Sequence, residues 1–550
     1  MRMYLFAPVS LPMNRSAGIL PALDLRTRKA GKMPALRSPV QGFKARTLAG
    51  RILIQLTALV MVFSPAWSQA QTPASAPAEP YRAVHAPGYP KVIMPGDYPD
   101  PTILREGRDF YMTHSAFEYT PGFLIWHSTD LMNWRPVVRA LRQTGSYAPD
   151  LAKVNGKFHI YYPAGGNNWV LTADKITGPW TKPANIGVGW HIDPGYAVGE
   201  DGKRYLFLSD GVRAPLSDDG LSAAGQATLV YSGWEYPTNW VTERKCLEAP
   251  KAVRKGDYFY LVSAEGGTAG PATSHMIVVA RSKSINGPWE NSPYNPLVHT
   301  YSADEQWWSK GHGTMFDDVN GNWWIVYHAY GKGQYTLGRQ TLLDPVDWTQ
   351  DGWPILAKTA HPLPPGDGTV VGMELSDDFS GPSLGLQWTA WRDYAGIQIK
   401  DGSLFLNAKG SSPKDARLLL VTATDAAYET QVEVTVPTGG SGGLILFYNE
   451  KAFAGLTSDG KEFTLYRDAS KVTREPNKFG SHFFLKIVNQ REQCAFLASA
   501  DGKTWTSLLA DVDVSGLQHN TFKGFLALRP GLMAAGSGEV RFAHFVYKKP

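Results

Sequence analysis

EGRDFYMTHS at residues 106–115, NGKFHIYYPA at 155–164, DGKRYLFLSD at 201–210, KGDYFYLVSA at 255–264 and NGNWWIVYHA at 320–329 decide the fold. Each places a glycine in a polar turn ahead of a run of aromatic and β-branched residues. That is the composition of a β-hairpin whose turn needs positive φ. The glycines, Gly107, Gly156, Gly202, Gly256 and Gly321, lie 49, 46, 54 and 65 residues apart. A second marker keeps step with them: Trp134, Trp180, Trp240, Trp289 and Trp348 each follow their glycine by 24 to 38 residues. Two markers in register five times over predict a five-bladed β-propeller, in which each blade is a small antiparallel sheet.

Outward from this array the chain changes character. The Pro/Gly-rich stretch HPLPPGDGTVVG (361–372) reads as a linker. Beyond it Val432, Val434 and Val436 alternate with Gln431, Glu433 and Thr435, and Leu444–Tyr448, Phe483–Val488 and Phe542–Tyr547 supply further strands. With the double marker gone, residues 373–550 are predicted as a β-sandwich of concanavalin-like or jelly-roll type, so the whole chain is all-β. The propeller is bounded at 87–360, with a Pro/Ala linker at 71–86. Residues 1–70 read as leader and signal peptide: the apolar run Ile52–Phe63 is 12 residues long and follows Lys44, Arg46 and Arg51. Such a run is too short to span a bilayer, and Ser68 and Ala70 offer a small-residue cleavage site. An exported protein, periplasmic or extracellular, cleaved near Ala70 and free of the membrane thereafter, is the expectation; a retained N-terminal anchor is the alternative.

The formal net charge of +5 misleads, because residues 1–70 carry ten of the 54 Lys and Arg but only one of the 49 acidic residues, Asp24. The rest holds 44 basic and 48 acidic residues, which argues against a nucleic-acid partner. Aromatic content of 12%, with 18 Trp, suits both a packed all-β core and stacking on sugar rings. The two cysteines, Cys246 and Cys494, fit no metal spacing and do not define a disulfide.

Polar residues fall on the same register. Six to nine residues before each hairpin glycine stand Asp100 (YPDPT), Asp150 (YAPDL), Asp193 (HIDPG), Glu248 (LEAPK) and His312 (GHGTM). If all five occupy equivalent places on the innermost strands, they converge at one end of the propeller axis. Taken singly each could be a turn or cap residue. Together, like charges crowded in a pocket split their pKa values into an ionised base and a protonated acid, the pair that glycoside hydrolysis uses. A carboxylate and histidine cluster holding Ca²⁺ is the other functional reading.

These motifs resemble glycoside hydrolase family 43, the five-bladed propeller enzymes that include β-xylosidases and α-L-arabinofuranosidases, many with a C-terminal sandwich. The resemblance implies an inverting enzyme in which Asp100 is the general base, Glu248 the general acid, and Asp193 orients the acid and tunes its pKa. It further implies Phe117 (SAFEYTPG) and Tyr147 as walls of the sugar subsite, Asp150 and Arg339 (TLGRQT) in substrate binding, and His312 (KGHGT) at the axis. No cofactor is required by it, although a structural Ca²⁺ at the axis, met by His312 through water, is consistent with it. Ala249 stands where members more usually have Gly, and Tyr147 where many have Trp. The expected substrate is a xylan- or arabinan-derived carbohydrate, with pentose released from chain ends. Endo-arabinanase action and a non-catalytic glycan-binding propeller stay open as alternatives, a sialidase-like propeller fits less well, and the oligomeric state is undetermined.

Overall fold

The computed structural model describes residues 80–369 and 372–550. The predicted leader, the signal-peptide core and its cleavage site lie outside the described residues. Five antiparallel blades, three of four strands and two of five, follow one another along the chain. Their innermost strands are Thr102–Glu106, Asp150–Val154, Gly195–Val198, Glu248–Lys255 and Trp307–Asp317. Each packs against the next, and the fifth closes on the first, so the strands ring a common axis. The N-terminal strand Lys91–Met94 completes the fifth blade by pairing with Arg339–Trp348, which ties the start of the propeller to its end.

The predicted hairpins are where the sequence places them. Gly107, Gly156, Gly202, Gly256 and Gly321 have φ of 64°, 83°, 75°, 58° and 81°, the left-handed region that a residue without Cβ enters at no steric cost. Each joins an innermost strand to the second strand of its blade. The tryptophan marker holds less uniformly. Trp134, Trp180 and Trp289 lead into the outer strands and Trp348 ends one, but Trp240 sits on the connection between the third and fourth blades, its ring stacked on His299 at 4.3 Å.

Five apolar clusters hold the ring, one in each cleft between adjacent blades. Phe123 and Ile125 of the first blade meet Leu151 and Ile160 of the second; Tyr260 and Val262 of the fourth meet Ile325 and Leu342 of the fifth. Each fully buried side chain of this size contributes about 1.5–3 kcal/mol by leaving water.

The C-terminal part is a sandwich of an eight-stranded and a seven-stranded antiparallel sheet. Ala427–Thr435 alternates strictly between half-buried and buried positions, as the valine periodicity requires of a strand with one wet face. One strand of the larger sheet is not C-terminal at all. Tyr119–Thr120, from the first blade's second-to-third strand connection, pairs with Thr389–Trp391. Tyr119 and Leu337 of the propeller accordingly belong to the sandwich core.

Candidate active site

Most of the polar residues that share the hairpin register meet at one end of the propeller axis. Asp100 and Asp193 each stand two residues before an innermost strand, and Glu248 opens one. Asp100, Asp193, Ala249 and His312 all adopt positive φ, between 51° and 57°. Such strain in L-residues persists only where the surroundings over-determine it. Close approach of the third and fourth blades depends on Gly195 in HIDPG, where a Cβ would lie 1.8 Å from Pro250 O. With that contact possible, Asp193 Oδ2 accepts a hydrogen bond of 3.1 Å from Ala249 N and stands beside Glu248.

Asp100 is buried and densely held. Arg339 Nη1 donates to its Oδ1 at 3.1 Å, Ser115 Oγ donates to Oδ2, and its own N–H donates to His328 Nδ1 at 3.1 Å. Ser115 is fixed in turn by Ala148 N at 2.6 Å. Burial, the largest single influence, would raise the Asp100 pKa, but the Arg339 guanidinium together with His312 and His328 outweighs it and keeps the carboxyl well below the usual carboxylate range. The other two carboxyls go the opposite way. Burial, and then the Asp100 charge, push Glu248 up to about 8. Burial, Glu248 and Asp100 push Asp193 well above its ordinary value. His312 Nδ1 lies 3.4 Å from Asp100 Oδ1 and 3.9 Å from Asp193 Oδ2, bridging the two. One site thus holds an ionised carboxylate and a protonated carboxyl at neutral pH. That division is what acid–base cleavage of a glycosidic bond requires.

Around the carboxyls the remaining predicted residues gather. The Phe117 and Tyr147 rings stack at 6.0 Å and 4°, and Arg339 Cζ lies 5.5 Å from the Phe117 centroid. Arg339 is buried, and its Nε and Nη2 have no hydrogen-bond partner among the described residues, so both are available to hydroxyl groups of a bound ligand. On its other side Arg339 is 5.5 Å from the ring of Phe525. Phe525 belongs to the sandwich and follows the short helix His519–Phe522, whose Asn520 exchanges two hydrogen bonds with Gly270 of the propeller, at 2.9 and 3.2 Å. The sandwich therefore closes one side of the site.

Asp150 is the exception, and the expectation that it binds substrate is corrected here. Its carboxylate accepts from Lys251 Nζ at 2.8 Å, Thr102 Oγ1 at 3.2 Å and Tyr196 N at 2.7 Å, which leaves it engaged with the protein on every side. Lys251 Nζ also donates to Pro194 O at 2.7 Å and Pro149 O at 3.3 Å. The ammonium thus joins the second, third and fourth blades at the axis, and it is close enough to His312 to add to the burial that holds that imidazole well below its usual pKa. A Ca²⁺ beside His312 would meet this fixed positive charge. Among the described residues no group of three or more His, Cys, Asp or Glu has metal-holding geometry. The residues at the axis do not fit the metal.

Sequence reasoning missed His275, His328, Ser115, Phe525 and Lys251. Ser115 and His328 end or nearly end two of the repeated hairpin motifs and Lys251 closes LEAPK, but nothing in those motifs marked them as polar partners of the site; His275 and Phe525 lie outside the repeat and carry no periodic signal.

The two parts of the chain have counterparts among known proteins. Residues 89–354 match the sequence profile of Glycosyl hydrolases family 43, and residues 376–548 match that of the Beta xylosidase C-terminal Concanavalin A-like domain. A non-reducing end alpha-L-arabinofuranosidase of Bacteroides ovatus is 34% identical over 57% of this chain and 64% of its own length. A xylan 1,3-beta-xylosidase of a Vibrio species is 30% identical over 62% of this chain and 73% of its own. The chain thus spans slightly under two thirds of the first relative's length and slightly under three quarters of the second's. Among solved structures, the GH43 protein BlXynB of Bacillus licheniformis superposes with a TM-score of 0.75 at 27% identity, covering 84% of this chain and 100% of that one.

Proposed function

The chain belongs to glycosyl hydrolase family 43 and is a glycoside hydrolase, and from that premise we propose that it is an exported, inverting enzyme that releases xylose or arabinose from the ends of plant polysaccharide fragments. The observation that carries the reading is the opposed charge state of two carboxyls in one site: Asp100 kept ionised by Arg339, and Glu248 kept protonated to about 8. Asp100 takes a proton from a water on the face of the sugar opposite the leaving group. As that water attacks the anomeric carbon, Glu248 gives its proton to the glycosidic oxygen and the C–O bond breaks. The product is a free pentose of inverted anomeric configuration. Asp193 holds Glu248 in place through the Ala249 amide and, by its own burial beside it, disfavours a second negative charge.

Phe117, Tyr147 and the free nitrogens of Arg339 form the walls and hydroxyl donors of the sugar subsite. Exo action is supported by Phe525, which closes one side of the pocket next to Arg339, where an endo-acting groove would stay open. Both a xylosidase and an arabinofuranosidase stand among the relatives, so the pentose is decided by assay. A panel of nitrophenyl β-xylosides and α-L-arabinofuranosides, with the released anomer followed by NMR, tests sugar and stereochemistry together. Release of the retained anomer would refute the inverting assignment, and no turnover of any pentoside would refute the substrate class.

A further inference from the structure

His275 is the side chain that the mechanism above leaves unused. It is fully buried, 0% exposed, and immediately precedes the third strand of the fourth blade, Met276–Ser282. Its ring occupies space that exists only because residue 311 is glycine, where a Cβ would come 2.1 Å from His275 Nδ1. Nε2 lies 3.2 Å from Glu248 Oε1. Among the described residues neither ring nitrogen completes a hydrogen bond, the approach to Oε1 being close without the alignment of one. Burial and then the Arg339 charge push its pKa down to about 3, so it stays neutral and carries a single N–H. Of the two nitrogens only Nε2 faces an acceptor, and the proton is assigned there on that ground.

A general acid has to present its proton on the oxygen that faces the glycosidic bond. A carboxyl left alone distributes that proton between two oxygens. We infer that His275 is a positioning residue for Glu248: its unpaired Nε2–H, with Oε1 in reach at 3.2 Å, pairs with that oxygen as substrate closes on the site and confines the transferable proton to Oε2. The inference rests on Glu248 being the acid. The charged and titratable groups that act on Glu248 besides His275 are Asp100, Arg339, Glu243 and Arg244, with Asp193 and Cys246 alongside, and none of these donates to Oε1.

The test compares His275→Phe, which keeps a ring and removes the donor, with His275→Gln, whose amide nitrogen reaches the same position. Each is assayed for kcat/KM against pH on an unactivated pentose disaccharide and on the dinitrophenyl glycoside of the same sugar, with Glu248→Gln in parallel and thermal melting as a folding control. For His275→Phe the disaccharide rate should fall by about 30- to 100-fold, within the range of general-acid contributions. The dinitrophenyl substrate, whose leaving group needs no proton, should lose less than about threefold, and the alkaline limb should move up by about one pH unit because a donor to the carboxylate is gone. His275→Gln should restore most of the disaccharide rate. Equal losses on both substrates with an unmoved limb, or a limb that moves down as water enters, would overturn the proposal. If His275→Phe does not fold, His275→Gln against His275→Asn decides, since the shorter amide cannot reach Oε1 and should show the selective loss. Should Glu248→Gln itself keep its disaccharide activity, the acid assignment fails; should it lose that activity while His275→Phe does not, only the role of His275 fails.

Discussion

Replacing Lys251 by methionine removes the ammonium from the propeller axis and keeps the aliphatic stem. Lys251 is 4% exposed, and its three hydrogen bonds, to Asp150 Oδ1 at 2.8 Å, Pro194 O at 2.7 Å and Pro149 O at 3.3 Å, link three blades. Breaking a buried pair by removing one partner costs about 3–5 kcal/mol, because the other charge is left uncompensated. Asp150 keeps Thr102 Oγ1 and Tyr196 N as donors, so the lower figure applies, about 3 kcal/mol. Unfolding entropy of about 2.1 cal/mol/K per residue over the roughly 470 described residues gives on the order of 1 kcal/mol/K, so Tm should fall by about 3 °C. Adding Asp150→Asn removes the stranded charge, and the double variant should recover part of the loss, with a coupling of about 2 kcal/mol in the cycle. Calorimetry with and without a chelator reads all of this, and the parent protein should melt at the same temperature in both. A Lys251→Met variant within 1 °C of the parent, or a parent destabilised by chelation, would refute the view that a lysine neutralises the axis.

The pH profile should be lopsided. Glu248 must be protonated, so kcat/KM should decline as pH rises through about 8; Asp100 must be ionised and is held well below the usual carboxylate range, so no acid limb should show down to about pH 4, the unperturbed value. An acid limb near neutrality would mean that another group is the base. Ala249 has φ of 54°, so Ala249→Gly should stabilise the fold by about 0.5–1 kcal/mol as left-handed strain is relieved, read as a rise of the denaturation midpoint. Expression with the native N-terminus in a secreting host should yield a mature chain beginning near Gln71, checked by mass spectrometry of the intact protein; recovery of Ile52–Phe63 in the product would favour the anchor.

Periodic features were legible and convergent ones were not. The five hairpin glycines report a local need, positive φ at a turn, so each can be read from a few residues around it, and their spacing gives the blade count. The carboxylates were found because Asp100, Asp193 and Glu248 inherit that spacing. Asp150 shares the register but not the role, since its environment is set by a lysine 101 residues away in sequence, and no local pattern encodes that pairing. His275 sits just ahead of a third strand and Phe525 on the sandwich, outside the repeat entirely. Trp240 kept the interval but lies between blades, because the connection there is long enough to move it off the strand.

The strand Tyr119–Thr120 has a consequence for how this protein can be engineered. It is cut from the same short loop as Phe117, two residues away, whose ring stacks on Tyr147 beside Arg339, yet its edge hydrogen bonds belong to Thr389–Trp391. An expression fragment ending at the linker would leave this loop without its pairing partner and would remove Phe525 from the site opposite. Exchange of C-terminal modules between related enzymes should therefore carry residues 117–120 along with the donor's sandwich; a graft made at residue 361 alone would misplace the pocket wall while leaving every acidic group untouched.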